Sequence, residues 1–266
     1  MAMKSDSPLP LETEATLVVC SEDPSSVAAE IARLKAMGDY TLQPRGLAVL
    51  RDIYFLEGPL KPGFAIRIRD TGRQVLLALK GPPTKTDWGA IQRMEIEAPW
   101  SKEAVQKITD EIGDGTIAAR LADWDFEQDP APDIMLKLGL RAVQSRETRR
   151  QARHVLVSKK KSVEVIAELA IDSVTYHFDG QDVRHYEVEV EEKTFGRHEQ
   201  IRDVLDHLIT KFGIRLREWD QDKLSTGMAI QEILRRGEMR ELLTADNAMT
   251  PAAYDKLDRY FATERL

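Results

Sequence analysis

Alternation between apolar and charged residues is the dominant pattern of this chain. In "FAIRIRD" (64–70), Ile66 and Ile68 fall on one side of a period of two, and Arg67 and Arg69 fall on the other. The same alternation runs through "RMEIE" (93–97), "AELAID" (167–172) and "YEVEVEE" (186–192). A period of two predicts β-strands, here with one apolar face and one face of nearly pure charge.

The order of the predicted elements favours an antiparallel sheet. Strands are predicted over 9–19, 49–58, 64–70, 75–81, 91–99, 142–158, 162–178 and 184–193. Helices are predicted over 21–38, 101–113, 115–125, 198–213, 228–243 and 251–261, with a further short element at 134–140. Strands come in runs rather than alternating singly with helices, so a parallel doubly wound sheet is not expected.

We therefore expect an α+β fold built on a closed antiparallel β-barrel of about eight strands, with helices packed outside. The expected domain spans 10–230 and contains two strand sets, 10–98 and 142–192, separated by a helical insert at 101–140. Residues 231–266 are expected to form a C-terminal helical tail.

The charged faces point to a candidate chemistry. A solvated exterior is one interpretation, since antiparallel sheets commonly expose one face to water. However, the faces separate into basic and acidic stripes, and a closed barrel would turn them inward into a tunnel. Arg and Lys suit phosphate, while clustered carboxylates suit Mg²⁺ or Mn²⁺. Together they suggest a site for a metal–polyphosphate complex.

The composition and charge of the chain argue against several kinds of binding partner and indicate a cellular compartment. The net charge of −7 argues against a non-specific nucleic-acid binder, and one cysteine excludes a disulfide framework. No apolar run is long enough to span a membrane, and the opening "MAMKSDSPLP" lacks the apolar core of a signal peptide. We expect a cytoplasmic monomer or homodimer that binds a small phosphorylated substrate, with no nucleic-acid or membrane partner.

The strand motifs and their order resemble one family. The segments, in chain order, are "ETEAT", "DIYFLEG", "FAIRIRD", "LLALKG", "QRMEIE", "SRETRRQ", "AELAID", "YEVEVEE" and "EWDQDKLSTGM". They resemble the CYTH superfamily, the triphosphate tunnel metalloenzymes, and especially its bacterial inorganic triphosphatases.

The resemblance implies a set of roles. Its implied phosphate-binding residues are Arg67, Arg69, Lys80, Arg93, Arg146, Arg150 and Lys223. Its implied ligands for Mg²⁺ or Mn²⁺ are Glu12, Glu14, Glu95, Asp172, Glu189 and Glu191. Glu14, Glu189, Arg69 and Lys80 are the implied catalytic residues. A divalent metal ion is expected between Glu12 and Glu14, which share a strand face.

Two positions leave alternatives open. Arg149 and Arg153 lie in the same run as Arg146 and Arg150, so either pair could face the tunnel. Thr16 stands where the family's first motif ends in lysine. Either a nearby basic residue compensates, or substrate preference differs, or activity is reduced.

The function expected from this resemblance is metal-dependent hydrolysis of a triphosphate, with inorganic triphosphate as the preferred substrate. One alternative is a class IV-type adenylate cyclase, which would form a cyclic product from ATP. The others are a non-catalytic polyphosphate- or nucleotide-binding module, for which Thr16 is the best argument, and a plain structural domain with charged outer faces.

Overall fold

Eight antiparallel strands close into a barrel in the computed structural model, which describes residues 11–112, 124–126, 128–159 and 162–264. The barrel strands follow one another in the order β1 (Leu11–Val19), β10 (Gln181–Glu192), β9 (Ser162–Phe178), β8 (Arg141–Lys159), β3 (Tyr40–Leu56), β4 (Ala65–Asp70), β5 (Val75–Lys80) and β7 (Ile91–Pro99). β7 pairs back onto β1, with Glu12 opposite Arg93, and this pairing closes the sheet. The α+β fold with a closed antiparallel barrel is thus confirmed.

Three short strands extend the sheet beyond the barrel. They are β2 (Ala36–Met37) beside β3, β6 (Thr84–Lys85) beside β7, and β11 (Leu216–Trp219) beside β1. Residues of the described ranges also form the helices α1 (Pro24–Ala32), α2 (Lys102–Ile112), α3 (Ala131–Lys137), α4 (His198–Phe212), α5 (Lys223–Arg235) and α6 (Pro251–Glu264). Short 3-10 turns lie at Gly213–Arg215 and Arg240–Leu242.

The apolar faces of the strands pack outward against the helices. Ile66 and Ile68 of β4 and Leu77 of β5 join the core formed with α2 and α3, to which Ile108 and Ile134 contribute. Each of these apolar positions alternates with a charged one, so their burial outside the barrel turns the charged face inward. The sequence pattern therefore sets both the core and the interior of the barrel.

The remaining helices cover the other side of the barrel. α1 and α4 pack on β9 and β10, and Ile31, Leu208 and Val188 belong to the core between them. α5 and α6 form a further core around Ile230 and Tyr254. Among the described residues, none of the helices is both long and apolar enough to cross a bilayer.

The first helix is shorter than predicted. It was expected over 21–38, but it covers Pro24–Ala32, because the chain turns after Arg33 and forms β2 beside β3. Gly38, which was expected to end this helix, instead forms the turn between β2 and β3, where its φ of 51° lies in the left-handed region.

Other boundaries also differ from prediction. β3 begins at Tyr40 rather than 49, and its early part pairs with β8 across an irregularity between Pro44 and Gly46. α5 begins at Lys223 rather than 228, because the Asp222 side chain caps the Ser225 N–H at 2.8 Å. β11 was not predicted. The helix predicted over 115–125 lies almost wholly outside the described residues.

Candidate active site

The charged strand faces line one cavity of about 350 Å³ inside the barrel, here named the tunnel. The predicted site residues in its wall are Glu12, Glu14, Arg67, Arg69, Lys80, Arg93, Glu95, Arg146, Arg150, Glu189, Glu191 and Lys223. Asp172 is the exception among the predicted set. It is fully buried behind the wall, where it accepts hydrogen bonds from Arg150.

In the first half of the barrel, each cation of the tunnel is paired with a carboxylate. The Lys80 ammonium lies 2.5 Å from Glu95 and 3.2 Å from Glu12. Arg67 donates to Glu95 at 3.0 Å and to Glu97 at 2.5 Å. Lys80 and Glu95 lie directly opposite each other on β5 and β7, whereas Arg67 on β4 reaches past β5 to the glutamates of β7. The positive groups are thus held in place inside the barrel.

Arg93 joins the first strand to the start of α5. Its guanidinium donates to Glu14 at 2.7 Å and to Asp222 at 2.6 Å. Asp222 also caps α5, so this one carboxylate fixes both the helix and the arginine. Although burial disfavours its charge, the carboxylates of Glu14, Asp222 and Glu12 hold the pKa of Arg93 above its ordinary value.

Asp52, which was not predicted from the sequence, binds two of the arginines that line the tunnel. Its carboxylate, 1% exposed, accepts two hydrogen bonds from Arg69 at 2.7 and 2.8 Å and two from Arg146 at 3.3 and 3.4 Å. Burial opposes its ionisation, yet Arg69 and Arg146 hold the pKa of Asp52 well below the ordinary value. Arg146 also donates to the Tyr54 hydroxyl at 2.8 Å.

The second half of the barrel contains a denser cluster. Arg150 donates to both oxygens of Asp172, at 2.9 and 2.6 Å, and also contacts Glu189. The Lys223 ammonium lies 3.1 Å from Asp172 and contacts Glu187 and Glu189. Burial alone would lower the pKa of Lys223, but these carboxylates raise it above the ordinary range. Lys223 therefore remains a cation.

Ionisation of the Glu14 carboxyl group is disfavoured, first by burial and then by neighbouring negative charge. Burial raises the pKa of its carboxyl to about 8, and the neighbouring carboxylates of Glu189 and Glu12 act in the same direction. Arg93 opposes the shift without cancelling it. Glu12 behaves differently: burial opposes its ionisation, but Lys80, a hydrogen bond with Glu95 and the two arginines Arg93 and Arg67 together hold the pKa of Glu12 well below its ordinary value.

The carboxylates around Glu14 are of the chemical type that could hold a divalent cation. Glu14 lies directly opposite Glu191 in the pairing of β1 and β10, and Glu12 shares its strand face. Oxygen ligands of this kind are those that Mg²⁺ and Mn²⁺ prefer. Among the described residues, the carboxylates with oxygens within 4.8 Å of one another are a different set, Asp172, Glu187 and Glu189. The Lys223 ammonium already lies among those three.

The structure decides which arginines of β8 face the tunnel. Arg146 and Arg150 face the tunnel, whereas Arg149 points outward with a side chain 75% exposed. Arg153 donates to the Leu34 carbonyl at 2.8 Å, outside the barrel.

Thr16 lies directly opposite Glu189 in the pairing of β1 and β10. Two cations contact Glu189, the Lys223 ammonium on α5 and the Arg150 guanidinium on β8. Lys223 was predicted to reach the tunnel, and it is part of the tunnel wall. Its role in binding phosphate remains a prediction.

Comparison of the chain with models of known protein families gives a match over most of its length. A model of the CYTH domain covers residues 26–216, more than half of the chain, and confirms the resemblance drawn from the strand motifs. The matched range starts after β1 and ends before α5. Glu14 and Lys223, which both line the tunnel, therefore lie outside it. No curated protein matches the chain.

Three solved structures illustrate the more distant likenesses. A putative adenylyl cyclase from Hippeastrum, described as having a dominant triphosphatase activity, is 16% identical with a TM-score of 0.47, over 85% of this chain and 96% of its own. A Pyrococcus horikoshii OT3 protein is 17% identical with a TM-score of 0.46, over 85% and 99%. The Mimivirus capping enzyme triphosphatase is 9% identical with a TM-score of 0.31, over 75% and 89%. Likenesses this distant decide nothing about activity.

Proposed function

Because the chain belongs to the CYTH domain family, we propose that it hydrolyses a triphosphate in the tunnel with a divalent metal ion, and that inorganic triphosphate is its preferred substrate. The observation that carries the proposal is the convergence of five arginines and three lysines on one cavity. A phosphate chain carries negative charge along its length, which guanidinium forks and ammonium groups match. The proposed domain, 10–230, extends beyond the matched range at both ends.

The existing ion pairs suggest how the phosphate chain binds. Arg67 and Lys80 are held by glutamates that themselves face the tunnel, so phosphate oxygens can replace those carboxylates. Arg69 and Arg146 are held by Asp52 from behind, and both still line the cavity. These two guanidiniums are oriented before the substrate arrives, which reduces the entropy lost on binding.

The metal ion would be held by Glu12, Glu14 and Glu191, with Glu189 adjacent. When bound, Mg²⁺ or Mn²⁺ would neutralise charge on phosphate oxygens and make a coordinated water more acidic. In the reaction a bond forms between the water oxygen and the terminal phosphorus, and the bridging P–O bond breaks, releasing orthophosphate and diphosphate. We assign Glu14 and Glu189 to orienting the water, and Arg69 and Lys80 to stabilising the leaving diphosphate.

Lys223 accounts for the departure at Thr16. Thr16 and Glu189 are directly opposed, and the Lys223 ammonium contacts Glu189 from α5. We propose that this ammonium supplies, from the C-terminal segment, the positive charge that the family motif places on the first strand. The departure at Thr16 is then compatible with activity.

A second candidate function has one observation in its favour. An adjoining cavity of about 570 Å³ shares Tyr54, Lys80 and Arg93 with the tunnel, and its other lining includes Leu60, Phe64 and Met228. This volume is in the range of small-molecule sites, roughly 300–1,000 Å³. An organic group attached to the triphosphate could lie there, so ATP hydrolysis or cyclisation is the alternative that the assay must include.

The test is a substrate panel with Mg²⁺ or Mn²⁺. We expect orthophosphate from inorganic triphosphate with the wild-type protein, loss of release in Glu14→Gln, and retention in the control Glu22→Gln, whose side chain is exposed. Release no greater than that of Glu14→Gln contradicts hydrolysis. A cyclic product from ATP would establish the cyclase instead, and binding without release would favour the binding module.

A further inference from the structure

The C-terminal segment brings one cation into the tunnel and holds it firmly. Lys223, 8% exposed, is the first residue of α5 and lies beyond the range that matches the family. Its carbonyl accepts a hydrogen bond from Tyr176 at 2.9 Å. Gly227 allows α5 to approach so closely, since a Cβ there would come within 2.6 Å of the Tyr176 ring. The backbone that carries the Lys223 side chain is therefore fixed.

A chain of buried polar groups leads from Lys223 to the last helix. Glu187, 1% exposed, contacts the Lys223 ammonium with one oxygen. Its other oxygen lies 2.7 Å from Nε2 of His185, which is wholly buried. Nδ1 of the same ring lies 3.0 Å from the hydroxyl of Tyr254 on α6. Each of the two imidazole nitrogens thus has one polar partner.

This chain determines the orientation of the Glu187 carboxylate. An ionised carboxylate only accepts hydrogen bonds, so the Nε2–H of His185 donates to it. Glu187 is not part of the tunnel wall, whereas Lys223 is. Glu187 can therefore affect the tunnel only through Lys223. His185 and Tyr254 act in turn through Glu187.

We propose that Tyr254, His185 and Glu187 are positioning residues that hold the Lys223 ammonium at the tunnel wall. Through Tyr254, α6 then contributes to the geometry of the site. The effect on substrate rests on the proposed function, in which Lys223 contacts the phosphate chain. The effect on Lys223 itself does not.

A different role for the same residues is packing alone. Tyr254 lies against Trp219 in an edge-to-face arrangement with ring centroids 5.8 Å apart, and both belong to one apolar core. If packing were their whole contribution, removal of the Tyr254 hydroxyl would leave Lys223 undisturbed. Its effects would also be independent of the side chain at position 223.

The first measurement is the reactivity of Lys223 towards acetic anhydride, read by mass spectrometry in the full chain. Tyr254→Phe removes only the hydroxyl, and we expect it to raise labelling of Lys223 about threefold to tenfold, with the exposed Lys102 unchanged. Tyr260→Phe on the same helix is the matched control and should leave Lys223 labelling at the wild-type level. Unchanged labelling of Lys223 in Tyr254→Phe overturns the proposal.

The second measurement is a double-mutant cycle on the dissociation constant of inorganic triphosphate, by calorimetry in EDTA. Tyr254→Phe should weaken binding about threefold to tenfold in the wild-type background and have no further effect in Lys223→Met. His185→Gln keeps an N–H donor for Glu187 and should retain more affinity than His185→Leu. Equal losses in both backgrounds would show that the hydroxyl acts through packing.

The two proposals can fail separately. Binding without phosphate release contradicts hydrolysis but leaves the cycle informative. If the chain binds no triphosphate, the proposed function fails, and the labelling of Lys223 alone decides the role of α6.

Discussion

Asp52 offers the sharpest test of how the tunnel arginines are held. Asp52→Asn has nearly the same shape but no charge, and it leaves Arg146, whose side chain is 2% exposed, and Arg69, 15% exposed, without their shared carboxylate. Removal of one partner from a buried ion pair destabilises proteins by about 3–5 kcal/mol. We expect a loss in that range, because two guanidiniums would face each other across a neutral amide.

The assay is urea unfolding at pH 7 followed by circular dichroism. With a slope of about 2–3 kcal/mol per M, the midpoint should fall by about 1–2.5 M. Glu57→Gln is the control, because it also removes a carboxylate from an arginine, Arg141, but in an exposed pair. It should leave the midpoint unchanged. An Asp52→Asn midpoint equal to that of the wild type would refute the reasoning.

The pH dependence of the free energy of unfolding tests the same interaction. The pKa of Asp52 is lowered on folding, below the ordinary value of 3.8, by the arginines that outweigh its burial. Its contribution is therefore present above about pH 4 and is lost as the pH falls through the folded-state pKa. The difference in stability between wild type and Asp52→Asn should shrink in acid. A difference that grows below pH 4 would have the wrong sign.

Three further predictions follow from the tunnel. Arg150→Ala should lower kcat/KM for inorganic triphosphate by about 100-fold, as removal of a charge-stabilising donor does, whereas Arg149→Ala on the same strand should have no effect in the same phosphate-release assay. EDTA should abolish phosphate release, and added Mg²⁺ or Mn²⁺ should restore it; release that persists in EDTA would contradict metal dependence. Met228→Glu should impair turnover of ATP but not of inorganic triphosphate, because it places a charge in the adjoining cavity alone.

The alternating strands made the barrel and most of its wall predictable. Arg67 and Arg69, or Glu189 and Glu191, stand two residues apart beside apolar residues, so their common face can be seen in the sequence. The apolar partners must be buried, and burial on one side turns the charges to the other. Asp52 lacks this signal, because Leu50 and Tyr54 share its face and no charged stripe marks it.

Residues whose role depends on strand order or on helix docking could not be predicted from the sequence. Asp52 lies directly opposite Arg69 on one neighbouring strand and Arg146 on the other, which is visible only once β3 is known to lie between β4 and β8. His185 meets Tyr254 because α6 packs on the barrel, far along the chain. Asp172 was predicted in the wall, but Arg150 and Lys223 cover it.

The central claim is that the tunnel cleaves a triphosphate, and ³¹P nuclear magnetic resonance tests it most directly. Inorganic triphosphate is followed in time with the wild-type protein, Mg²⁺ and the Glu14→Gln variant as control. We predict that the triphosphate signals disappear and that diphosphate and orthophosphate appear in equal amounts, with no change in the variant. Triphosphate that stays intact with the wild-type protein in both Mg²⁺ and Mn²⁺ would contradict the account.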